Sequence, residues 1–316
     1  MAMIPSLRVS VWSACDLACL YCHKEGNRHP GRHLSDDEVL HLIRAAIPQG
    51  LVKVKITGGE PLLRPHLSDL LKQIVRWGLE VSLTTNGTRL ALWAQEFREI
   101  GLSKVSVSLD TLNPERFRNL CGADRLPLVV GGITAARDAG LPLELNTVLM
   151  AGVNEHEWDE LIAFARKMQA RIQFIELSPA TQSREFYEHH HVSLDHLEQL
   201  LRTQGEMLEG VRQEGDRPRY RFNGVDVNLC RVVGKTPVPG PRRRGLRLSA
   251  DGKVYGFEYQ QDACLADLAA AYRAGARESE LTRIWAQAGS LIHPINQKEV
   301  LFHETEFSGK RRRSYF

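Results

Sequence analysis

Three cysteines crowd into eight residues near the amino terminus, in the run Cys15-Asp16-Leu17-Ala18-Cys19-Leu20-Tyr21-Cys22. Three thiolates can hold three irons of a four-iron cubane and leave the fourth iron to a small molecule. That arrangement suits a cluster that must deliver an electron to a bound cofactor or substrate. Zinc is the alternative, with His23 able to join as a fourth donor. Cys121, Cys230 and Cys264 are scattered, a spacing that reads as isolated buried or surface thiols rather than a second cluster. Cysteines placed so unevenly are no disulfide framework, and a tight group of them points to metal or redox chemistry in a reducing compartment.

The elements that position these thiols follow from periodicity. Short apolar runs at Leu7 to Trp12, Val52 to Ile56, Val81 to Leu83, Val105 to Leu109, Leu143 to Leu149 and Ile172 to Leu177 read as strands. Helical patterns separate them at Asp36 to Ile47, Leu67 to Trp77, Leu90 to Ile100, Leu128 to Ala139, Glu157 to Met168 and Leu194 to Arg202, with Ser35 and Ser193 as N-caps. Repeated strand-helix units demand a parallel sheet, because each helix returns the chain to the same edge. The expected class is α/β: a partial (β/α)6 TIM-like barrel over residues 1–205, followed by a smaller α+β accessory unit over 206–316. In that second unit Arg219 to Phe222, Gly245 to Leu248 and Lys253 to Phe257 suggest short antiparallel strands, and helices are expected at Cys264 to Arg273 and Glu280 to Ala288.

On this frame the cysteine loop lies at the carboxyl end of the first strand, where barrel active sites are built. The second strand ends in Thr57-Gly58-Gly59-Glu60-Pro61, whose paired glycines admit a ligand close to the backbone and expose groups able to bind an ammonium. Thr84-Thr85-Asn86-Gly87 and Ser106-Val107-Ser108-Leu109-Asp110 bring further polar groups to the same end.

Composition limits the alternatives. With 316 residues, 43% hydrophobic and 25% charged, the chain is an ordinary globular one. A net charge of +3 is too weak to argue for nucleic acid, and the basic clusters Arg242 to Arg244 and Lys310 to Arg313 read as solvated loop and tail. No apolar run approaches the roughly 20 residues that cross a bilayer, and the start lacks a secretory signal, so a cytoplasmic protein is expected. His189-His190-His191 reads as a surface loop, and the five tryptophans as core or helix-packing residues.

The cysteine run, Tyr21 before its last cysteine, and the Gly-Gly-Glu-Pro strand end together resemble the radical S-adenosylmethionine (SAM) superfamily. Leu7-Arg8-Val9-Ser10, Lys55 to Pro61, Thr84 to Gly87, Val107 to Asp110, Asn146 to Leu149, Phe174 to Leu177 and Arg247 to Lys253 narrow the resemblance to the GTP 3′,8-cyclases of molybdenum-cofactor biosynthesis. The resemblance implies a [4Fe–4S] cluster on Cys15, Cys19 and Cys22, with SAM beside Tyr21, Gly58, Gly59, Glu60, Ser108 and Asn146. It implies reductive cleavage of SAM to a 5′-deoxyadenosyl radical that abstracts hydrogen, and an electron donor such as flavodoxin or ferredoxin. Substrate contacts would fall to Arg8, Lys55, Thr84, Glu144, Arg243 and Arg247.

Departures from that family gather at the substrate end. Three cysteines that hold a second cluster in the cyclases are Gly240, Arg243 and Phe257 here, a phosphate-facing lysine is Glu144, one of a pair of arginines is Gly245, and a methionine near SAM is Ser178. The tail Arg313 to Phe316 stands where the cyclases end in paired glycines. A carboxylate facing a triphosphate is repelled. The expected activity is therefore radical SAM chemistry on a nucleoside, nucleotide or sugar other than GTP. A GTP cyclase lacking its second cluster and a non-catalytic iron–sulfur or zinc protein are the alternatives.

Overall fold

The computed structural model describes residues 4–22, 31–178, 184–208, 218–231, 245–256 and 264–291. His23, Gly240, Arg242 to Arg244, Phe257 and Arg313 to Phe316 lie outside them.

The six expected strands form at β1 (Ser6–Trp12), β2 (Lys53–Gly58), β3 (Glu80–Thr85), β4 (Lys104–Ser108), β5 (Leu143–Leu149) and β6 (Arg171–Glu176). Between them run α1 (Asp36–Ala46), α2 (Leu67–Arg76), α3 (Ala94–Ile100), α4 (Pro114–Cys121), α5 (Leu126–Asp138) and α6 (Trp158–Lys167), and α7 (Arg184–His190) and α8 (Asp195–Gln204) follow. The first helix starts as the sequence says it should: Ser35 accepts from the Glu38 amide and Glu38 answers to the Ser35 amide, a capping box worth about 1 kcal/mol.

Each strand turns one face to the helices and the other inward. Val9, Ile56, Leu83, Val105 and Leu145 are buried on the helix side, with Leu42, Leu71, Phe97 and Ile133 packed in the same core. β1 to β6 pair in parallel in sequence order, which gives a partial barrel rather than a doubly wound sheet.

The later strands depart from expectation. β7 (Glu206–Met207), β8 (Arg219–Phe222), β9 (Val225–Cys230), β10 (Gly245–Leu248), β11 (Lys253–Gly256) and β12 (Ala266–Asp267) continue the same sheet at its two edges. The expectation of antiparallel strands holds for β8, which pairs β9, and for β11, which pairs β10. β10 is antiparallel to β11 alone, its other neighbour β1 running parallel to it, and β9, absent from the sequence reading, adds to β6 in parallel. The signal for β9 was Asn223-Gly224, both with positive φ, a hairpin turn that forces the chain straight back. Eight neighbouring strands thus run parallel. The chain then packs α9 (Leu268–Arg273) and α10 (Glu278–Ser290) against α1, where the buried Trp285 indole donates to the Leu42 carbonyl at 2.9 Å.

Two local readings need correction. The His189 to His191 segment is not a surface loop: His189 and His190 end α7, His190 is buried with Nδ1 3.0 Å from the Ala151 carbonyl, and His191 bridges to Met150. Ser193 does not cap α8, whose N-cap is Leu194 with no side-chain bond; the Ser193 hydroxyl accepts from Asp195 two residues on. Among the described residues no helix is long and apolar enough to cross a membrane.

Candidate active site

Cys15, Cys19 and Cys22 lie on the loop that leaves the carboxyl end of β1. The end of β2 is pressed against the start of that loop. Gly59 donates its amide to the Trp12 carbonyl at 2.7 Å, and Glu60 donates to the Ala14 carbonyl at 2.8 Å. A Cβ on Gly58 would stand 2.2 Å from the Trp12 carbonyl oxygen, and one on Gly59 2.3 Å from that of Ala14. Both positions therefore require glycine for the approach of two backbones.

Side chains complete the attachment. Asp16 accepts from Asn86 Nδ2 at 2.8 Å, Thr88 Oγ1 at 2.8 Å and Arg125 at 2.7 Å, tying the loop to the end of β3 and the start of α5. Glu60 is fully buried and accepts from Thr85 Oγ1, the Asn86 amide and the Leu62 amide, so its carboxylate joins β2 to β3. Burial pushes this carboxyl up to about 7 despite those bonds. Tyr21 donates its hydroxyl to the buried Asp110 carboxylate at the end of β4, and burial lifts Asp110 to about 6. Arg64, itself buried, donates to the Val11 carbonyl at 2.6 Å, the Leu34 carbonyl at 3.0 Å and Asp36 Oδ1 at 2.6 Å, locking the end of β1 to the start of α1.

The three thiols are outside disulfides. Cys15 accepts from the Leu17 amide at 3.4 Å and from Asn86 Nδ2 at 3.6 Å. Although Cys15 is exposed by surface area, the protein around its sulfur raises the thiol to about 11. Cys19 is half-buried, and its proton is held far above the ordinary thiol range by a hydrogen bond shared with Cys121 and by burial. Metal loading must therefore displace protons here. Among the described residues no three His, Cys, Asp or Glu converge as they would on a single ion. The donor set fits an iron–sulfur cluster: three thiols on one anchored loop, with amide donors already aimed at one sulfur.

The inward face of the barrel is polar. Arg247, Arg8, Lys55, Ser82 and Lys104 stand in one register row across β10, β1, β2, β3 and β4. Thr84, Ser106 and Glu144 form a second row across β3 to β5, and Ser108, Asn146, Gln173 and Asn228 a third across β4, β5, β6 and β9. The structure thus brings together all the expected substrate residues it describes. The Thr84 hydroxyl is buried with no hydrogen-bond partner, while Arg247 lies 4.9 Å from the Tyr255 ring centroid. Ser108 and Asn146 are register partners, and Asn146 accepts from Gln173 at 3.3 Å.

Glu144 is not the bare carboxylate that the sequence suggested. Lys104 Nζ is 2.8 Å from its Oε1, Ser106 Oγ 3.2 Å, and Asn228 Nδ2 3.5 Å from Oε2. Burial raises its pKa, but the charge and hydrogen bond of Lys104 and the charge of Lys55 outweigh that and hold it below the usual range. Lys104, Asp16 and Arg125 were missed in the sequence. Only Lys104 had a readable signal, the polar alternation Lys104, Ser106, Ser108 along β4.

Comparison with known proteins agrees with this geometry. The sequence profile described as "Radical SAM superfamily" matches residues 9–165. The "Probable GTP 3',8-cyclase" of Pyrococcus abyssi is 34% identical over 298 residues, covering 92% of this chain and 96% of that protein. The chain belongs to the radical SAM superfamily. Radical SAM enzymes use a [4Fe–4S] cluster and SAM. The "GTP 3',8-cyclase" of Streptomyces coelicolor is 37% identical over 295 residues, covering 89% of this radical SAM chain and 85% of its own. The Archaeoglobus fulgidus "Probable GTP 3',8-cyclase" is 43% identical over 183 residues, which span 62% of that relative's length. Among solved structures, Streptococcus suis SuiB bound to S-adenosylmethionine superposes with a TM-score of 0.56 at 15% identity, covering 86% of this chain and 64% of SuiB. That likeness establishes the shared radical SAM fold.

Proposed function

We propose that this radical SAM enzyme abstracts hydrogen from a phosphorylated, nucleotide-class substrate, with Cys15, Cys19 and Cys22 as cluster ligands and Tyr21, Gly58, Gly59, Glu60, Ser108 and Asn146 around SAM. When bound, the cluster and SAM supply a one-electron cleavage that yields a 5′-deoxyadenosyl radical. The row Arg247, Arg8, Lys55 on the inward face carries the reading, since adjacent cations on rigid strands suit a phosphate or carboxylate. Lys104 neutralises Glu144, so the carboxylate sits in the lumen without repelling an anion. Glu60, Asp16 and Arg64 hold the strand ends in place and keep donor and acceptor aligned.

GTP is the first substrate to test, because 34% to 37% identity to named GTP 3′,8-cyclases extends over most of the chain. The second reading, a nucleoside, nucleotide or sugar other than GTP, is favoured by Gly240, Arg243 and Phe257, none of which binds iron. A flavodoxin- or ferredoxin-like protein would deliver the electron. The experiment is anaerobic reconstitution followed by SAM, dithionite and a panel of deuterated nucleotides and sugars. Deuterium appearing in 5′-deoxyadenosine from GTP supports the first reading, and from another member of the panel the second. No 5′-deoxyadenosine with any of them overturns both.

A further inference from the structure

We infer that Glu144 determines specificity by accepting a hydrogen bond from a hydroxyl of the substrate's sugar, in the step of the lumen between the cations that take the phosphate and the residues assigned to SAM. The inference rests on the reading of a phosphorylated, nucleotide-class substrate and adds the group by which that substrate is told from its deoxy analogues.

The strands grade the lumen. Arg247, Arg8, Lys55, Ser82 and Lys104 share the lower row, Thr84, Ser106 and Glu144 the middle one, and Ser108 and Asn146 the upper one. Each row stands two residues further along its strands than the one below, a rise of about 6.6 Å. A substrate anchored on the lower cations and presenting a carbon to SAM must therefore pass Glu144.

The carboxylate is held ready for it. Oε1 accepts from Lys104 Nζ at 2.8 Å and from Ser106 Oγ at 3.2 Å, while Asn228 Nδ2 stands 3.5 Å from Oε2. Arg219 Nε donates to Asn228 Oδ1 at 2.9 Å, which turns the amide so that its NH2 group faces Glu144. Oε2 thus has a single contact among the described residues, at the outer limit of hydrogen-bond length, and Glu144 is only 4% exposed to bulk water. In the same row the Thr84 hydroxyl is buried with no partner among the described residues. An under-bonded acceptor and an unmatched hydroxyl in one row suit a sugar carrying adjacent hydroxyls. An ionised phosphate brings no proton to Oε2, whereas a hydroxyl does. Lys104 cancels the charge of the carboxylate, so an anion in the row below is not turned away.

The test measures nucleotide binding by equilibrium dialysis to the anaerobically reconstituted full chain, with SAM present and no reductant. GTP, GMP, AMP and CMP are each compared with their 2′,3′-dideoxy forms. The wild type should hold its preferred ribonucleotide about tenfold or more tighter than the dideoxy form, the loss expected when an ionised acceptor goes unmatched. Glu144→Gln offers a neutral acceptor of the same size and should narrow the ratio to about threefold. Lys104→Met/Glu144→Met removes the pair together, leaves no charge buried alone, and should bring the ratio close to one. Lys55→Met should weaken both forms alike and leave their ratio unchanged. A wild type that binds both forms equally, or a double variant that keeps the full ratio, overturns the role of Glu144 and leaves the phosphate reading standing. No binding of any nucleotide, or binding untouched by Lys55→Met, overturns the phosphate reading and the inference with it; absolute affinity and ratio tell the two failures apart.

Discussion

The Lys104 ammonium and the Glu144 carboxylate meet at 2.8 Å on the inward face of the barrel, and each needs the other. Replacing Lys104 with Met leaves a carboxylate that is 4% exposed with only Ser106, Asn228 and the more distant Lys55 to stabilise it. The loss of one member of a buried pair costs about 2 to 4 kcal/mol, discounted because the Lys104 side chain is 25% exposed. The pH dependence has a fixed sign. Glu144 is depressed in the folded chain, so its contribution is present above 4.5 and is lost as pH falls through the lowered folded value. Urea denaturation should show lower stability for Lys104→Met at pH 7 and a smaller acid loss than in the wild type; equal acid limbs would refute the pairing.

Glu60 acts in the opposite direction. Its folded value of about 7 lies above the ordinary 4.5, so between those values the folded chain holds a proton that the unfolded chain has released. Stability therefore falls as pH rises from about 4.5 to 7. Gln at position 60 keeps an acceptor for Thr85 and has no proton to lose. The Glu60→Gln chain, before cluster reconstitution, should be flatter over that window by about 1 to 3 kcal/mol, leaving the smaller fall contributed by Asp110, which titrates near 6. Parallel stability curves for the two proteins would show that Glu60 is not protonated in the fold.

What the sequence made legible was whatever is written locally. Alternating strands, the Ser35 cap and the cysteine spacing each depend on residues a few positions apart, and each appears where expected. Residues that act across the sheet were hidden. Asp16 meets Arg125 from 109 positions away and Glu144 meets Asn228 from 84, distances at which no periodicity signals a partner. β10 read as antiparallel because its hairpin with β11 is local, whereas its parallel partner β1 lies at the other end of the chain.

Arg64 carries more of the site than its place after Gly-Gly-Glu-Pro suggests. Its guanidinium satisfies two backbone carbonyls and one carboxylate. Arg64→Met keeps most of the volume and leaves the Val11 and Leu34 carbonyls without that donor, at about 1 to 3 kcal/mol for each group left buried and unsatisfied. The expected loss of stability is about 2 to 4 kcal/mol, and Arg64→Lys should recover only part of it because a point charge cannot span three acceptors. A Met variant as stable as the wild type in urea would remove Arg64 as the lock between β1 and α1.

Gly59 joins fold and chemistry in a single position. A methyl group there would stand 2.3 Å from the Ala14 carbonyl oxygen and 2.5 Å from that of Ser13, both backbone atoms of the loop that carries the thiols. Neither can swing aside as a side chain would, so the Gly59→Ala chain must part β2 from the loop, breaking the bond from the Gly59 amide to the Trp12 carbonyl and displacing Cys15 two positions beyond Ser13. Cluster uptake should suffer more than the fold, because the other strand pairings do not pass through this contact. After anaerobic reconstitution, iron should drop well below the roughly four atoms a cubane contains, while far-ultraviolet circular dichroism stays close to the wild type. Full iron content in Gly59→Ala would mean that the approach of the two backbones is not what holds the thiols in place.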